Sequence, residues 1–175
     1  MNKIYPLKQA LITALISAVF ATGAFMIIDG LNQHNGWRAN PATIRGLVGL
    51  LTLVILGIGL YMGMLSIKRA NAGKISYGQA VVVGILIALT VGVVMSVVGI
   101  FYTKVINPGY ADYVVTEGKK ALIADNKSPA DIAQGVAGLQ KQFTASAQAM
   151  QALVGQTVAG TVISLVMALF IRTKK

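Results

Sequence analysis

Four long stretches of this 175-residue chain are free of charged residues and largely apolar. They run from Gln9 to Ile28, Gly46 to Ile67, Ile75 to Thr103 and Gln142 to Ile171, and they are 20, 22, 29 and 30 residues long. A helix needs about 20 residues to cross the hydrocarbon core of a bilayer, and a charge at its centre is costly. The pattern therefore predicts an all-α membrane protein with four transmembrane helices.

Composition excludes the main competing class, a soluble helical domain. The chain is 55% hydrophobic and 11% charged, whereas soluble domains carry about a quarter charged residues. The residues outside the four stretches are too few to cover four helices that are apolar on all sides. The net charge of +10 does not indicate nucleic-acid binding, because the basic residues flank the spans and no aromatic-interleaved basic stripe is present.

Turn and capping residues set the expected boundaries within one integral-membrane domain, 1–175. Asn40 followed by Pro41 is typical of a helix start, and Ser76 with Gln79 has capping-box spacing. Pro108 ends the third helix because proline cannot continue the hydrogen-bond ladder. We expect spans over about 7–28, 43–67, 77–103 and 152–172, with a helical hairpin over about 109–150.

The first span has one alternative, a signal peptide cleaved after Gly23. Its apolar stretch reaches Ile28, which makes it longer than the roughly 7–15 residues of a signal-peptide core. An uncleaved first span is therefore favoured.

Basic residues near the span ends predict the orientation, since cytoplasmic flanks are rich in lysine and arginine. Both termini and the loop after the second span carry such a cluster. We therefore expect both termini to be cytoplasmic and the hairpin to be extracytoplasmic. The cytoplasmic set is Lys3, Lys8, Lys68, Arg69, Lys74, Arg172, Lys174 and Lys175, and the aromatic residues expected at the membrane interfaces are Tyr5, Trp37, Tyr61, Tyr77 and Tyr102.

The segment between the third and fourth spans is amphipathic. Its second helix, which Ser128 and Pro129 begin, has apolar residues at alternating four- and three-residue steps, with a gap at Ser146, as in a helical hairpin or coiled coil. No helix breaker separates it from the last span, so we expect one continuous helix from Pro129 to about Arg172, on the order of 65 Å long. The candidate hairpin seam is Ile132, Val136, Leu139, Phe143 and Met150.

Small residues recur at four-residue steps along the spans, most strictly on the third. Such stripes let two helix backbones approach closely, either at an oligomer or partner interface or within one chain. We favour packing within the chain, because four spans must already pack against one another. The candidate residues are Ala80, Gly84, Ala88, Gly92 and Ser96 on the third span, Gly59 and Gly63 on the second, and Gly160 and Ser164 on the fourth.

The spans contain no constellation that indicates catalysis. His34 is the only histidine, and it lies in a predicted loop where a metal site would require further ligands. Span hydroxyls can bond the carbonyl four residues earlier and need no function, which leaves Gln156 as the most polar span residue. We predict no enzyme activity, no catalytic or cofactor-binding residue, no cofactor and no metal. An intramembrane enzyme that uses Asp29, His34 and Gln156 is the least favoured hypothesis.

The loop after the second span carries a resemblance. The segment 68–80, Lys-Arg-Ala-Asn-Ala-Gly-Lys-Ile-Ser-Tyr-Gly-Gln-Ala, resembles the signature of an uncharacterised Bacteroidetes membrane-protein family, domain of unknown function 4199. The similarity continues through Asn107–Pro108, the charged hairpin and the closing segment 171–175, so it covers nearly the whole chain. The resemblance implies four spans and an inner-membrane location. It transfers no functional residues, because the family has no established activity.

Without a chemical site, the favoured hypothesis is a non-enzymatic, multi-pass inner-membrane accessory or scaffold protein. Its expected partners are the lipid bilayer and either a membrane or envelope protein or a second copy, bound through the hairpin and the small-residue helix faces. The alternative is a carrier or binder of a small apolar or lipid molecule within the helical bundle, since glycine-rich packing tolerates a cavity.

Overall fold

Six α-helices make up most of the chain that the structure describes. The computed structural model describes residues 6–34 and 41–173, and the side chains of residues 6–30 and 46–173. No strand occurs in these ranges, so the predicted all-α fold is confirmed. The helices are α1 (Leu7–His34), α2 (Pro41–Ala70), α3 (Tyr77–Phe101), α4 (Tyr110–Ala124), α5 (Pro129–Gln142) and α6 (Ala145–Ile171), and a π-helical turn, Tyr102–Ile106, follows α3.

Within the described ranges, four helices are long and apolar enough to cross a membrane. Many of their large apolar side chains are exposed, such as Val19 on α1 and Phe170 on α6. Such exposure is expected of membrane helices, because lipid tails are as apolar as leucine. The candidate spans are Leu7–Gly30, Gly46–Ala70, Tyr77–Ile106 and Ala145–Ile171.

The chain divides into two compact units. The first comprises Met1–Met95 and Ala152–Lys175 and contains most of the four spans. Within it, α2 contacts each of the other three spanning helices. The contacts that define this arrangement are Gly59 with Thr13 of α1, Gly63 with Ile87 of α3, and Leu56 with Gly160 of α6.

The second unit, Ser96–Gln151, contains the hairpin formed by α4 and α5. Ser128 caps α5 as expected: its hydroxyl accepts a hydrogen bond from the Asp131 N–H at 3.2 Å, and Pro129 occupies the first turn. Asn126 turns the chain between the two helices with a φ of 54°, a left-handed conformation that asparagine tolerates. The hairpin is therefore closed by local capping and turn chemistry.

The first helix is longer than expected. It continues through Asp29 and Gly30, where the sequence predicted its end, and reaches His34. A glycine within a helix costs only about 1 kcal/mol relative to alanine, so neighbouring helical residues can override it. As a result Asp29, which is 4% exposed, lies buried on α1 at the last turn of the first candidate span.

The expected continuous helix from Pro129 to Arg172 is wrong. Instead, α5 ends at Gln142 and α6 begins at Ala145. The Thr144 hydroxyl accepts a hydrogen bond from the Ala147 N–H at 3.2 Å. This is an N-cap bond, for which threonine is well suited, and it satisfies a donor that a helix start leaves free. Thr144 therefore caps the start of a separate helix, and the apolar periodicity of the sequence did not indicate this break.

Candidate functional site

The small-residue face of α3 packs against the matching face of α6. A side chain added at Gly84 would collide with Ser164, and one added at Gly160 would collide with Ala88. The two helices run antiparallel at this contact, since the earlier α3 residue meets the later α6 residue. Their backbones therefore approach as closely as small residues allow.

Most of the candidate interface residues are buried in helix–helix contacts within the chain. On α3, the first four members of the stripe are buried and Ser96, in the second unit, is half-buried, with its hydroxyl donating to the Ala149 carbonyl at 2.7 Å. The arrangement leaves these faces little exposed surface for a partner. The buried residues are Ala80, Gly84, Ala88, Gly92, Gly59, Gly63, Gly160 and Ser164.

One end of the four-span unit is fastened by contacts between distant parts of the sequence, which we call the clasp. Lys68 Nζ donates to the Ile171 carbonyl at 2.8 Å, at the C-terminus of α6. The Thr173 N–H donates to the Ile75 carbonyl at 2.9 Å, and the Ile75 N–H donates to the Thr173 hydroxyl at 2.9 Å. The Thr173 hydroxyl also reaches the Gly73 carbonyl at 3.3 Å. These bonds join residues about a hundred positions apart.

The loop in the clasp has the geometry of a Schellman helix end. Ala72 has a φ of 53°, and the Gly73 N–H donates to the Lys68 carbonyl at 2.9 Å. The predicted capping box at the start of α3 is confirmed: the Ser76 N–H donates to Gln79 Oε1 at 2.9 Å, and the Gln79 N–H donates to Ser76 Oγ at 3.2 Å. Local rules thus fix the loop, and the clasp then fixes the end of α6 to it.

Replacing Thr173 with valine is expected to lower the stability of the four-span unit by about 2 kcal/mol, because the buried Ile75 N–H loses its partner. Thermal unfolding of the purified protein in detergent measures this change. Thr161→Val is the matched control, since that hydroxyl bonds only the Thr157 carbonyl within its own helix. Equal losses in both variants would contradict a structural role for the clasp.

The candidate hairpin seam faces the partner helix of the hairpin. Leu139 of α5 contacts Gly118 of α4, and Leu122 of α4 contacts Gly135 of α5. Four of the five seam residues, Ile132, Val136, Leu139 and Phe143, are half-buried, and Met150 is exposed because it lies on α6 beyond the break. The seam is therefore largely used within the hairpin.

An aromatic cluster anchors the hairpin within the second unit. Tyr110, at the start of α4, is 1% exposed. Its ring meets the rings of Tyr102 and Phe143 edge-on, with centroids 6.3 and 6.0 Å apart. Tyr102 was predicted to be an interfacial aromatic, yet it is buried in this cluster. The π-helical turn, in which the Asn107 N–H donates to the Tyr102 carbonyl at 2.8 Å, holds Tyr102 there.

Polar side chains in the spans mostly bond their own helices. Thr13, Thr52, Thr90, Thr157 and Thr161 each donate to the carbonyl four residues earlier, as predicted. Two side-chain oxygens behave differently: Ser17 Oγ and Gln156 Oε1 are buried with no hydrogen-bond partner among the described residues.

The remaining chemical candidates do not form a site in the described part of the chain. The side chain of His34 lies outside it, as do Trp37 and the terminal residues Lys3, Tyr5, Lys174 and Lys175. No group of three or more potential metal ligands occurs among the residues that were described. The burial of Asp29 and the pairing of Thr173 with Ile75 had no signal in the sequence.

The model of a family described as a protein of unknown function, DUF4199, matches residues 8–173. The chain belongs to the DUF4199 family. No curated protein and no solved structure matches the chain.

The region matched by the DUF4199 family model includes the segment 68–80. The matched region covers both sides of the clasp, from Lys68 to Thr173, together with all of the α4–α5 hairpin. In this member of the family, Lys68 caps α6, and the Ser76–Gln79 box starts α3. The segment that carries the resemblance thus makes structural contacts at the clasp and at the start of α3.

Proposed function

We propose that this DUF4199 protein is a non-enzymatic accessory or scaffold subunit of the cell inner membrane. It binds a membrane or envelope protein through its helical hairpin. The small-residue faces support contacts within the chain, so the hairpin is the surface left for recognition.

The size of the hairpin is the observation that carries this proposal. Connections between helices in a bundle are usually about 2–8 residues long. Here α4 and α5, of 15 and 14 residues, separate the third and fourth spans, and they pack on each other through their own seam. A chain that needed only to cross the membrane would not require such an element.

The tip of the hairpin has the chemistry of a contact surface. Ile123, near the end of α4, is 53% exposed. It lies close in sequence to the exposed charged residues Asp125 and Lys127. An apolar anchor with a polar rim is the usual composition of a protein–protein interface. Ile123 is therefore our candidate anchor for the partner.

The proposed orientation places both termini in the cytoplasm and the hairpin outside it. The support is the distribution of basic residues, which are concentrated at the termini and in the loop after α2. A hairpin on that side meets envelope proteins rather than cytoplasmic ones.

The chain contains no cysteine, so an introduced cysteine is the one thiol in the protein. Single-cysteine variants can therefore test both the membrane orientation and the binding of a partner. Ala124 and Ala70 are exposed last residues of α4 and α2, which makes Ala124→Cys and Ala70→Cys a matched pair. We expect a membrane-impermeant maleimide to label Ala124→Cys in intact cells, and Ala70→Cys only after permeabilisation. A photoreactive maleimide at Ala124→Cys should yield one discrete adduct, which mass spectrometry identifies.

The control for specificity is Ile123→Ser in the Ala124→Cys background, which should remove most of the adduct while labelling persists. An adduct that survives Ile123→Ser, or a protein that remains uncrosslinked, contradicts partner binding through the hairpin tip. Labelling of Ala70→Cys in intact cells contradicts the orientation. An adduct with a second copy of the chain would identify the partner as the protein itself.

The alternative function, a carrier of a lipid or small apolar molecule, is supported by one observation. Gln156 Oε1 is buried on α6 without a partner among the described residues. An unpaired amide oxygen in a span is costly, and a hydrogen-bond donor on a bound molecule would relieve that cost. A co-purifying ligand that disappears in Gln156→Leu would favour this function over the scaffold.

A further inference from the structure

The clasp end of the four-span unit carries basic side chains from four separate parts of the sequence. Gln9 Nε2 donates to Ser66 Oγ at 3.0 Å, which brings the start of α1, with Lys8, beside the end of α2, with Lys68 and Arg69. The clasp adds Lys74 and Arg172 to the same end through the bonds of Ile75 and Thr173. We call Lys8, Lys68, Arg69, Lys74 and Arg172 the basic rim.

Among the described residues of the four-span unit, Asp29 is the one acidic residue. The sequence contains no aspartate or glutamate between residues 1 and 28, 30 and 111, or 132 and 175. Asp29 is at the far end of α1 and is buried. Lys8, Arg69, Lys74 and Arg172 are exposed, and Lys68 is half-buried because its ammonium caps α6. Within the described part of the four-span unit, the rim is thus a cluster of hydrogen-bond donors without an acidic side chain beside it, and such donors are suited to phosphate oxygens.

Exposed apolar side chains lie close in sequence to these charges. Leu7, next to Lys8, is 52% exposed, and Phe170, two residues before Arg172, is 82% exposed. A free phosphate ion would gain nothing from Leu7 or Phe170. An anionic phospholipid satisfies both chemistries, with its phosphate at the charges and its acyl chains along the apolar helix surfaces.

We propose that the basic rim is a binding site for the headgroup of an anionic phospholipid. The clasp holds the backbone at Lys74 and Arg172 close to the end of α2, so their side chains start from the same end of the unit as Lys68 and Arg69. Clusters of lysine and arginine at the ends of membrane helices attract anionic lipids in this way. The site is independent of the hairpin and of the function proposed for it.

Native mass spectrometry of the full-length protein tests this site. The detergent-solubilised protein is mixed with equal amounts of phosphatidylglycerol and phosphatidylethanolamine, and the ratio of the two bound lipids is measured. We expect at least about fivefold more bound phosphatidylglycerol, as one or more basic contacts would give. The triple variant Arg69→Gln, Lys74→Gln, Arg172→Gln should bind the two lipids nearly equally.

Two further variants separate the site from net charge and from misfolding. Lys119→Gln, Lys127→Gln, Lys141→Gln removes three exposed charges from the hairpin and should keep the parent preference. The double variant Arg69→Lys, Arg172→Lys keeps the positive charges and should also keep the preference for phosphatidylglycerol. Equal loss in the hairpin variant, or no lipid preference in the parent, overturns the proposal. Displacement of the lipid by inorganic phosphate overturns the assignment to a phospholipid.

Discussion

Replacing Gly84 with leucine is expected to destabilise the four-span unit by about 3 kcal/mol or more, because overfilling a close-packed contact forces helices apart. A Cβ at Gly84 would collide with Ser164 of α6 and would lie 2.8 Å from the methyl carbon of Met64 on α2. The Cβ of Ser164 would lie 2.6 Å from the added atom, so α6 itself would have to move, whereas the flexible Met64 side chain can adjust. The measurement is thermal or denaturant unfolding in detergent, followed by helical circular dichroism.

Gly155→Leu is the matched control for this substitution. Gly155 also lies within a spanning helix, but an added Cβ there would meet nothing within 4 Å. We expect its stability to stay within about 1 kcal/mol of the parent, the scale of the difference in helix propensity. If Gly84→Leu unfolds no earlier than Gly155→Leu, the antiparallel contact of α3 and α6 is not the one described.

Replacing Tyr110 with alanine is expected to destabilise the second unit by about 3 kcal/mol, the usual scale for removing a buried aromatic ring. The ring joins Tyr102 of the π-helical turn to Phe143 after α5, so its loss frees both ends of the hairpin. Amide hydrogen exchange should show faster exchange across α4 and α5, while the core of α2 keeps its protection.

Phe101→Ala provides the comparison, because Phe101 belongs to the same unit but is 54% exposed. It removes a similar ring and should leave exchange in the hairpin nearly unchanged. Equal acceleration in the two variants would show that the hairpin does not depend on the aromatic cluster around Tyr110. A variant that also weakens the crosslink from Ala124→Cys would connect hairpin order to partner binding.

Local features that depend on neighbouring residues were predictable. Charge exclusion located four apolar helices, and the Ser76–Gln79 and Ser128–Pro129 signals located two helix starts. Each of these depends on contacts within a few positions, which sequence patterns record. The break before α6 is also local, but it depends on a threonine N-cap without a proline or glycine, and so the sequence did not indicate it.

Other features depended on residues far apart in the sequence. Nothing in the sequence paired Lys68 with Ile171 or Thr173 with Ile75, since small and polar residues near span ends are common. The burial of Tyr102 likewise required Tyr110 and a π-helical turn to hold it. The four-residue spacing in the sequence identified the small-residue faces, but only the structure showed which helix each face contacts.

The sequence by itself determined that this protein has four apolar helices and an amphipathic hairpin, because the cost of charge in a bilayer acts on each residue separately. Only the tertiary structure decided that the stripes of α3 and α6 face each other, that the hairpin seam is used within the hairpin, and that the clasp gathers the basic rim. The reason is that a small or apolar face has no preferred partner until the other helices are in place, and packing selects among many faces of equal chemistry.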